Sequence, residues 1–457
     1  MRHVGFDLDW TLADYNRPRL DRLTFELTVE RLIESGHQPE AIRDLELKPD
    51  FPRRGLLIDR QEGLVLRMNR HRFVGRAYLG HRRLEPRELV PLYRQEPIDP
   101  ADPRFYHVDS LFELPETSLY SGLVELARRA PGGPSKSYAQ LFHELRDAID
   151  WVHREGRMKR AVLASPERFL ARDPELALAL ERFALGGRRL ILITNSPWDY
   201  TEGVCSYLFD GLLPGLDSWR ELFDLVVVDA AKPGFFRDGR PFVELDAAGQ
   251  PTGEYRRPEW GGAYSGGSLT GLMELLACPG EQVLYIGDHI YGDIVTSKRR
   301  STWRTALIVA ELEDEIRLLA ETRPELDKLS RLRHRLSVSG AEMDLLADAV
   351  TVLRRMERAG EEIAAELERE IRERHTRRRR RHQELLQETR TLAEATEKRF
   401  NPWWGSFFKQ GESKTLFTAQ LERFACLYTS HVRNFARYGS NHYFRVLEDP
   451  AQHDEET

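Results

Sequence analysis

Five short apolar runs constrain this chain more than any other feature. They are "HVGFDLD" at 3–9, "RRLILITN" at 188–195, "FDLVVVDA" at 223–230, "QVLYIGD" at 282–288 and "TALIV" at 305–309. Runs this short, rich in Val, Ile and Leu and continuously apolar, read as strands covered on both faces. Helical patterns lie between them, such as "PELALALERFAL" before the second and "GSLTGLMELLA" before the fourth. Strand alternating with helix predicts an α/β fold with an open, Rossmann-like parallel sheet. All carboxyl ends of such a sheet open on one edge, where the ligand crevice forms. Here those ends are polar: Asp7 and Asp9, Thr194 and Asn195, Asp229 with Lys232 just beyond, and Asp288 with Asp293.

The first two runs are far apart, and a structureless loop of that length is implausible. Residues 16–187 are therefore expected to form an α+β cap inserted into a core made of 1–15 and 188–335. After about residue 311 the strands are expected to stop. Residues 336–447 read as helical, with "KTLFTAQLERFACLYTSHVRNFARY" as one amphipathic helix, and the acidic tail 448–457 reads as disordered. The run "RRRRR" at 377–381 stands among glutamates and reads as a charged helix face, not a nucleic-acid arm. A net charge of -6 on 457 residues gives no field that argues for nucleic acid or an acidic membrane surface. No run approaches a membrane span. Three scattered cysteines without a CxxC pair suit a reducing compartment, and no basic-then-apolar leader follows Met1, so a cytoplasmic location is expected.

The strand ends carry the chemistry. Asp7 and Asp9 are two apart, which on a regular strand places both on one face. Two close carboxylates repel and need cations or donors to offset them. Asp288 adds a third acid from another strand. An all-oxygen acidic set suits a hard divalent cation, Mg²⁺ above all beside a phosphate substrate. Lys232 adds a fixed positive charge and Thr194 a hydroxyl. Acids facing a lysine and hydroxyl donors suit phosphoryl transfer, with one carboxylate attacking in line. Taken singly, each acid reads as a cap or turn residue; the convergence of four strand ends is what favours a site.

These residues carry a family resemblance. "DLDWT" at 7–11 resembles the DxDxT nucleophile motif of the haloacid dehalogenase superfamily. "ITNS" at 193–196, Lys232 in "DAAKP" and "GDHIYGD" at 287–293 resemble its second, third and fourth motifs, in order. Longer stretches are similar to the cytosolic purine 5'-nucleotidases that hydrolyse IMP and GMP. Among them are "LTFELTVERLIESG", "FYHVDSLFELPETSL", "RDAIDWVHREG", "VVVDAAKPGFF", "YSGGS" and "KTLFTAQ". The similarity runs to about residue 447 and fails near 340–400.

The resemblance implies a nucleotidase core, with Asp7 as nucleophile forming an aspartyl-phosphate and Asp9 as general acid, then base. It implies Mg²⁺ held by Asp7, the backbone carbonyl of Asp9 and Asp288, with Asp293 in support, and phosphate bound by Thr194, Asn195 and Lys232. By spacing alone, Arg146, Asp150 and His153 are one polar helix stripe with an ordinary ion pair. The resemblance instead places them at the purine, with Lys159 nearby and Phe112 stacking on the base. Asp109 stands where the family usually has an amide, and Arg154 where it tends to have tyrosine. An ionised aspartate only accepts hydrogen bonds, so Asp109 would favour a base with an extra donor, such as guanine. The expected function is Mg²⁺-dependent hydrolysis of purine nucleoside monophosphates. Transfer to a nucleoside acceptor and assembly into homodimers or homotetramers are implied as well. Two alternatives stand beside it: a phosphatase for another small phosphorylated metabolite, and a catalytically silent nucleotide sensor.

Overall fold

A computed structural model describes residues 1–93, 96–212, 215–237, 239–360 and 365–444. The expected acidic tail at 448–457 lies outside the described residues. The chain forms two compact units, one of residues 1–312 with the stretch from Ser413 onward, the other Glu313–Glu412.

The first unit is built on β1 (His3–Phe6), whose four residues are all buried. The chain then leaves the sheet through helix α1 (Arg17–Glu34), capped by the Asn16 side chain with a proline in its first turn. The inserted segment makes its own antiparallel sheet from β2 (Leu56–Asp59), β3 (Leu64–Met68), β4 (Val74–Leu79), β5 (Arg82–Arg83) and β6 (Phe105–Val108), in the order β5-β4-β3-β2-β6. Helices α2 (Leu114–Arg129), α3 (Tyr138–Glu155) and α4 (Arg157–Ala164) follow. Gly156, at φ +81°, separates α3 from α4, since a left-handed residue ends one helix cheaply only when it lacks a Cβ.

The main sheet resumes with β7 (Arg189–Ile193), β8 (Leu225–Val228), β9 (Phe242–Leu245), β10 (Pro251–Tyr255), β11 (Ala263–Gly266), β12 (Val283–Gly287) and β13 (Arg304–Ile308). Strand β1 lies between β7 and β12, parallel to both, with Gly5 opposite Ile191 on one side and Tyr285 on the other. Among the described strands of this sheet only β9 runs against the rest, pairing antiparallel with β10 and β11 near one edge. Ile191, Ile193, Val227, Phe235, Phe236, Tyr285 and Trp303 join one buried cluster at this sheet. The result is a Rossmann-like core with an α+β insertion after the first strand and a helical region toward the C-terminus.

Two expectations need correction. The strands do not stop near 311: β14 (Leu427–Thr429) extends the main sheet parallel to β13. Nor is 414–438 one helix, because it breaks into the helix Leu416–Phe424, β14 and a 3-10 turn over Val432–Arg437. The physical reason is the exposed edge of β13. The Cys426 N–H donates to the Thr305 carbonyl and the Val309 N–H to the Thr429 carbonyl, so "LYT" satisfies groups that an edge strand leaves open.

In the second unit, α5 (Arg323–Ala359) and α6 (Ala365–Phe400) pack along each other. Leu329, Leu332, Val350 and Leu353 of α5 and Leu385 of α6 are buried. Arg377 pairs with Glu373 at 3.5 Å and Arg378 with Glu342 at 3.1 Å, as a charged helix face should. Among the described residues no helix is long and apolar enough to cross a membrane.

Candidate active site

The site lies at the carboxyl edge of β1, β7, β8 and β12. Strand β1 ends at Phe6, so Asp7 and Asp9 are not neighbours on one strand face, as the sequence spacing suggested. A turn brings them together instead. The Leu8 carbonyl accepts from the N–H groups of Thr11, Leu12 and Ala13, and Trp10 takes a left-handed φ of +57°. Turning the chain this tightly aims both carboxylates at the crevice while Leu8 and Leu12 stay in the core.

Asp7 is buried. Its Oδ1 accepts from the Leu8 N–H at 2.7 Å and pairs with Lys232 Nζ at 2.8 Å. Lys232 also reaches Asp293 Oδ1 at 2.9 Å and the Tyr285 hydroxyl at 2.9 Å, with its side chain only 4% exposed. Asp7, Asp288 and Asp293 each offer an oxygen, all within 4.8 Å of one another. Burial, with Asp293 and Asp9 adding repulsion, lifts the Asp7 carboxyl to about 7 against the pull of Lys232. Burial and then the charge of Asp7 raise Asp288 as well. Lys232 is held above its ordinary range by Asp293 and Asp7, although burial works the other way.

Three buried acids around one lysine leave negative charge uncompensated. Asp288 Oδ2 is buried and has no hydrogen-bond partner among the described residues. An all-oxygen set with an orphaned carboxylate oxygen fits a hard divalent cation such as Mg²⁺. The Asp9 carboxylate lies outside this trio. Tyr15 donates to its Oδ1 at 2.5 Å and Ser196 to its Oδ2 at 2.7 Å, and the Tyr15 and Tyr200 hydroxyls are 2.8 Å apart.

Strand β7 delivers Thr194, Asn195 and Ser196. Thr194 is fully buried, and its hydroxyl accepts from the Ser196 N–H at 3.0 Å. The Asn195 amide holds the Lys232 backbone from both sides: Nδ2 donates to the Lys232 carbonyl at 3.1 Å, and Oδ1 accepts its N–H at 2.6 Å. Gly287 makes room for Asp293, because a Cβ there would lie 2.5 Å from Asp293 Oδ2.

The inserted segment supplies the other wall. Phe112 stands at ring-centroid distances of 5.8 Å from Trp10, 6.1 Å from Tyr15 and 5.7 Å from His153. His153 is half-buried, and lost hydration, with Arg146 and Lys159 nearby, lowers it to about 4. The Arg146 side chain donates to the Tyr106 hydroxyl at 2.9 Å, to Glu116 at 2.5 Å and to Asp150 at 3.1 Å. Burial pushes Glu116 up to about 8, with Arg146 pulling it back. Lys159 donates to Ser196 Oγ at 3.3 Å, the same hydroxyl that serves Asp9. Asp109 follows β6 and donates its N–H to Glu113 at 2.8 Å.

Thus Asp7, Asp288, Asp293 and Lys232 form one cluster. Asp9, Lys159 and Ser196 form a hydrogen-bonded chain, and Phe112 and His153 meet at the Trp10 and Tyr15 rings. Arg146 and Asp150 form a pair on α3. Sequence reasoning passed over Tyr15, Ser196, Tyr200, Tyr285, Glu116 and Arg54. Ser196 had a signal, its place in the "ITNS" motif; the others sit in no periodic or motif pattern that singles them out.

Residues 1–456 match the 5' nucleotidase family. The chain is 31% identical to 5'-nucleotidase domain-containing protein 2 of Homo sapiens, over 98% of this chain and 82% of the human protein. The Rattus norvegicus protein of that name is likewise 31% identical, over 98% of this chain and 77% of its own length. Among solved structures, a HAD phosphatase from Thermococcus onnurineus aligns at 14% identity and a TM-score of 0.27, over 68% of this chain and 87% of that one. CbbY from Rhodobacter sphaeroides, in complex with phosphate, aligns at 14% identity and a TM-score of 0.23, over 67% and 86%. Matched over almost its full length and aligned with relatives across 98% of its residues, the chain belongs to the 5' nucleotidase family.

Proposed function

We propose that the protein hydrolyses purine nucleoside 5'-monophosphates through a phosphorylated Asp7. The observation that carries this is the meeting, at one sheet edge, of the Asp7, Asp288, Asp293 and Lys232 cluster with the aromatic wall of Phe112 and His153. Lys232 fixes Asp7 through Oδ1, and no described residue donates to Oδ2, which is the atom to attack phosphorus. As the Asp7 oxygen–phosphorus bond forms, the bond to the 5'-oxygen breaks, and Asp9 gives its proton to that oxygen. Water then attacks the phosphorus of aspartyl-phosphate, Asp9 takes the water's proton, and phosphate leaves with Asp7 restored. Tyr15 and Ser196 hold Asp9 in place for both transfers. Thr194, Asn195 and Lys232 would bind the phosphate, with Lys232 offsetting the charge on the phosphoryl oxygens.

Asp7, the Asp9 carbonyl and Asp288, supported by Asp293, would hold Mg²⁺, which when bound supplies further positive charge to the transferring group. Phe112 would stack on the base, with Arg146, Asp150 and Asp109 reading its edge. A nucleoside hydroxyl in place of water would receive the phosphoryl group. Self-association into dimers or tetramers belongs to the same proposal, supported by the exposed Val338, Leu345 and Val352 at seven-residue intervals on α5.

The test is phosphate release from IMP, GMP, AMP, CMP and a sugar phosphate, with and without Mg²⁺, for wild type and Asp7→Asn. Mg²⁺-dependent release from IMP or GMP, lost in the variant, is the expected result. Release from the sugar phosphate alone would keep the chemistry and discard the nucleotide; no release at all would leave a sensor.

A further inference from the structure

Arg54 lies just ahead of β2, at the entry to the inserted sheet, yet its side chain is fully buried beneath the main sheet's catalytic edge. Its guanidinium is saturated with acceptors. Nε donates to Glu311 Oε1 at 3.0 Å, and Nη2 pairs with Glu311 Oε2. Nη1 donates to the main-chain carbonyl of Asp288 at 2.7 Å and, more loosely, to that of Ile308 at 3.4 Å. The Phe417 ring lies 5.7 Å from the guanidinium carbon. Gly55, at φ +80°, permits this approach, since a Cβ there would fall 2.7 Å from the Phe417 Cβ.

The Asp288 carboxylate is a contrasting case. Its Oδ2 is buried with no partner among the described residues, so no donor from them fixes where that oxygen points. Its direction is set through the backbone, and the Arg54 hydrogen bond ties that backbone to the inserted segment. Glu311, whose side chain is 11% exposed, holds the guanidinium in a bidentate grip. Arginine suits the task because its planar fork serves a carboxylate and a carbonyl at once, which a lysine ammonium on a flexible stem does not.

We infer that Arg54 is a positioning residue for Asp288, through which the inserted segment sets the affinity of the acidic cluster for its divalent cation. The inference rests on the Mg²⁺ reading given above. Supporting groups behind metal ligands commonly change affinity by roughly 10–100-fold when removed. A ligand held only through its main chain should sit at the sensitive end of that range.

Arg54→Met alone would strand the Glu311 charge and is expected to destabilise the chain. The informative variants are Arg54→Lys and the double variant Arg54→Met with Glu311→Met, which removes the charges together. Mn²⁺ binding to the full chain, followed by the electron paramagnetic resonance of free Mn²⁺ and by Mg²⁺ competition, reads the affinity without turnover. The Mn²⁺ dissociation constant is expected to rise at least about tenfold in both variants, measured well below their unfolding temperatures. A lowered unfolding temperature with an unchanged dissociation constant would reduce Arg54 to a structural residue and overturn the inference. Wild type that binds no Mn²⁺ would overturn the metal reading and the inference with it.

Discussion

Replacing Asp7 with asparagine is expected to cost at least about 10³-fold in kcat while leaving the unfolding temperature unchanged or higher, because the proposed nucleophile is lost and a crowded buried charge is removed. Steady-state kinetics and thermal unfolding on the same preparation check both halves. Phe112→Ala should act elsewhere: on the proposed reading, losing a base-stacking ring worth about 1–3 kcal/mol should raise KM for a purine monophosphate by roughly 5–150-fold and touch kcat less. His153 gives a pH signature. Its folded-state pKa, about 4, lies below the ordinary histidine value, so the unfolded chain binds more protons between about 4 and 6.5. Its contribution is therefore present above about 6.5 and is lost as pH falls toward 4. His153→Gln should flatten the stability–pH curve in that window, measured by denaturant unfolding at closely spaced pH values.

At this scale the sequence was legible where chemistry and motif coincide. Asp7, Lys232 and Asp288 could be named from strand ends alone. Tyr15 and Tyr200 could not, because a tyrosine becomes a partner of Asp9 only through a contact across 185 residues. The same holds for Arg54, whose burial against Glu311 spans 257 residues.

Among elements, the buried strands of the main sheet announced themselves because each is a continuous apolar run between helical patterns. The inserted sheet was less visible. Its strands β4 and β5 are partly exposed, with arginines at 76, 82 and 83, and carry no unbroken apolar signature. Strand β14 was hidden altogether, since three residues inside an amphipathic pattern become a strand only when the edge of β13 is there to pair with them. The turn from β12 into the acidic loop yields a prediction of its own. Gly287→Ala should push Asp293 aside, and because Asp293 bonds Lys232, the effect should reach beyond packing. Divalent-cation affinity is expected to fall by about tenfold or more. Calorimetric titration with Mg²⁺ would detect it, and an unchanged affinity would show that Asp293 stands apart from the cation site.

For the molecule as a whole, cation binding and folding should be linked. The acidic cluster repels itself in the folded chain and is dispersed in the unfolded one, so Mg²⁺ should stabilise by about 2.7 kcal/mol at a hundred times its dissociation constant. Scanning calorimetry with added Mg²⁺ and with a chelator should separate the two transitions, and Asp288→Asn should remove the difference. An unfolding temperature indifferent to Mg²⁺ in wild type would count against the cation site.

The place of β1 also governs the order of assembly. It is the earliest of the described strands in the sequence, yet one neighbour arrives at Arg189 and the other at Val283. Pairings this distant in sequence are slow to find and late to form. Strand β1 must wait, one edge open after the other, and the inserted sheet waits longer still, because Leu416 completes its buried core. The catalytic edge is then completed from the outside inward in time, with its oldest residues the last to be enclosed. A nascent chain paused before residue 283 would hold β1 with one edge unpaired, which makes the stretch between those two arrivals the interval in which this protein has most need of a chaperone.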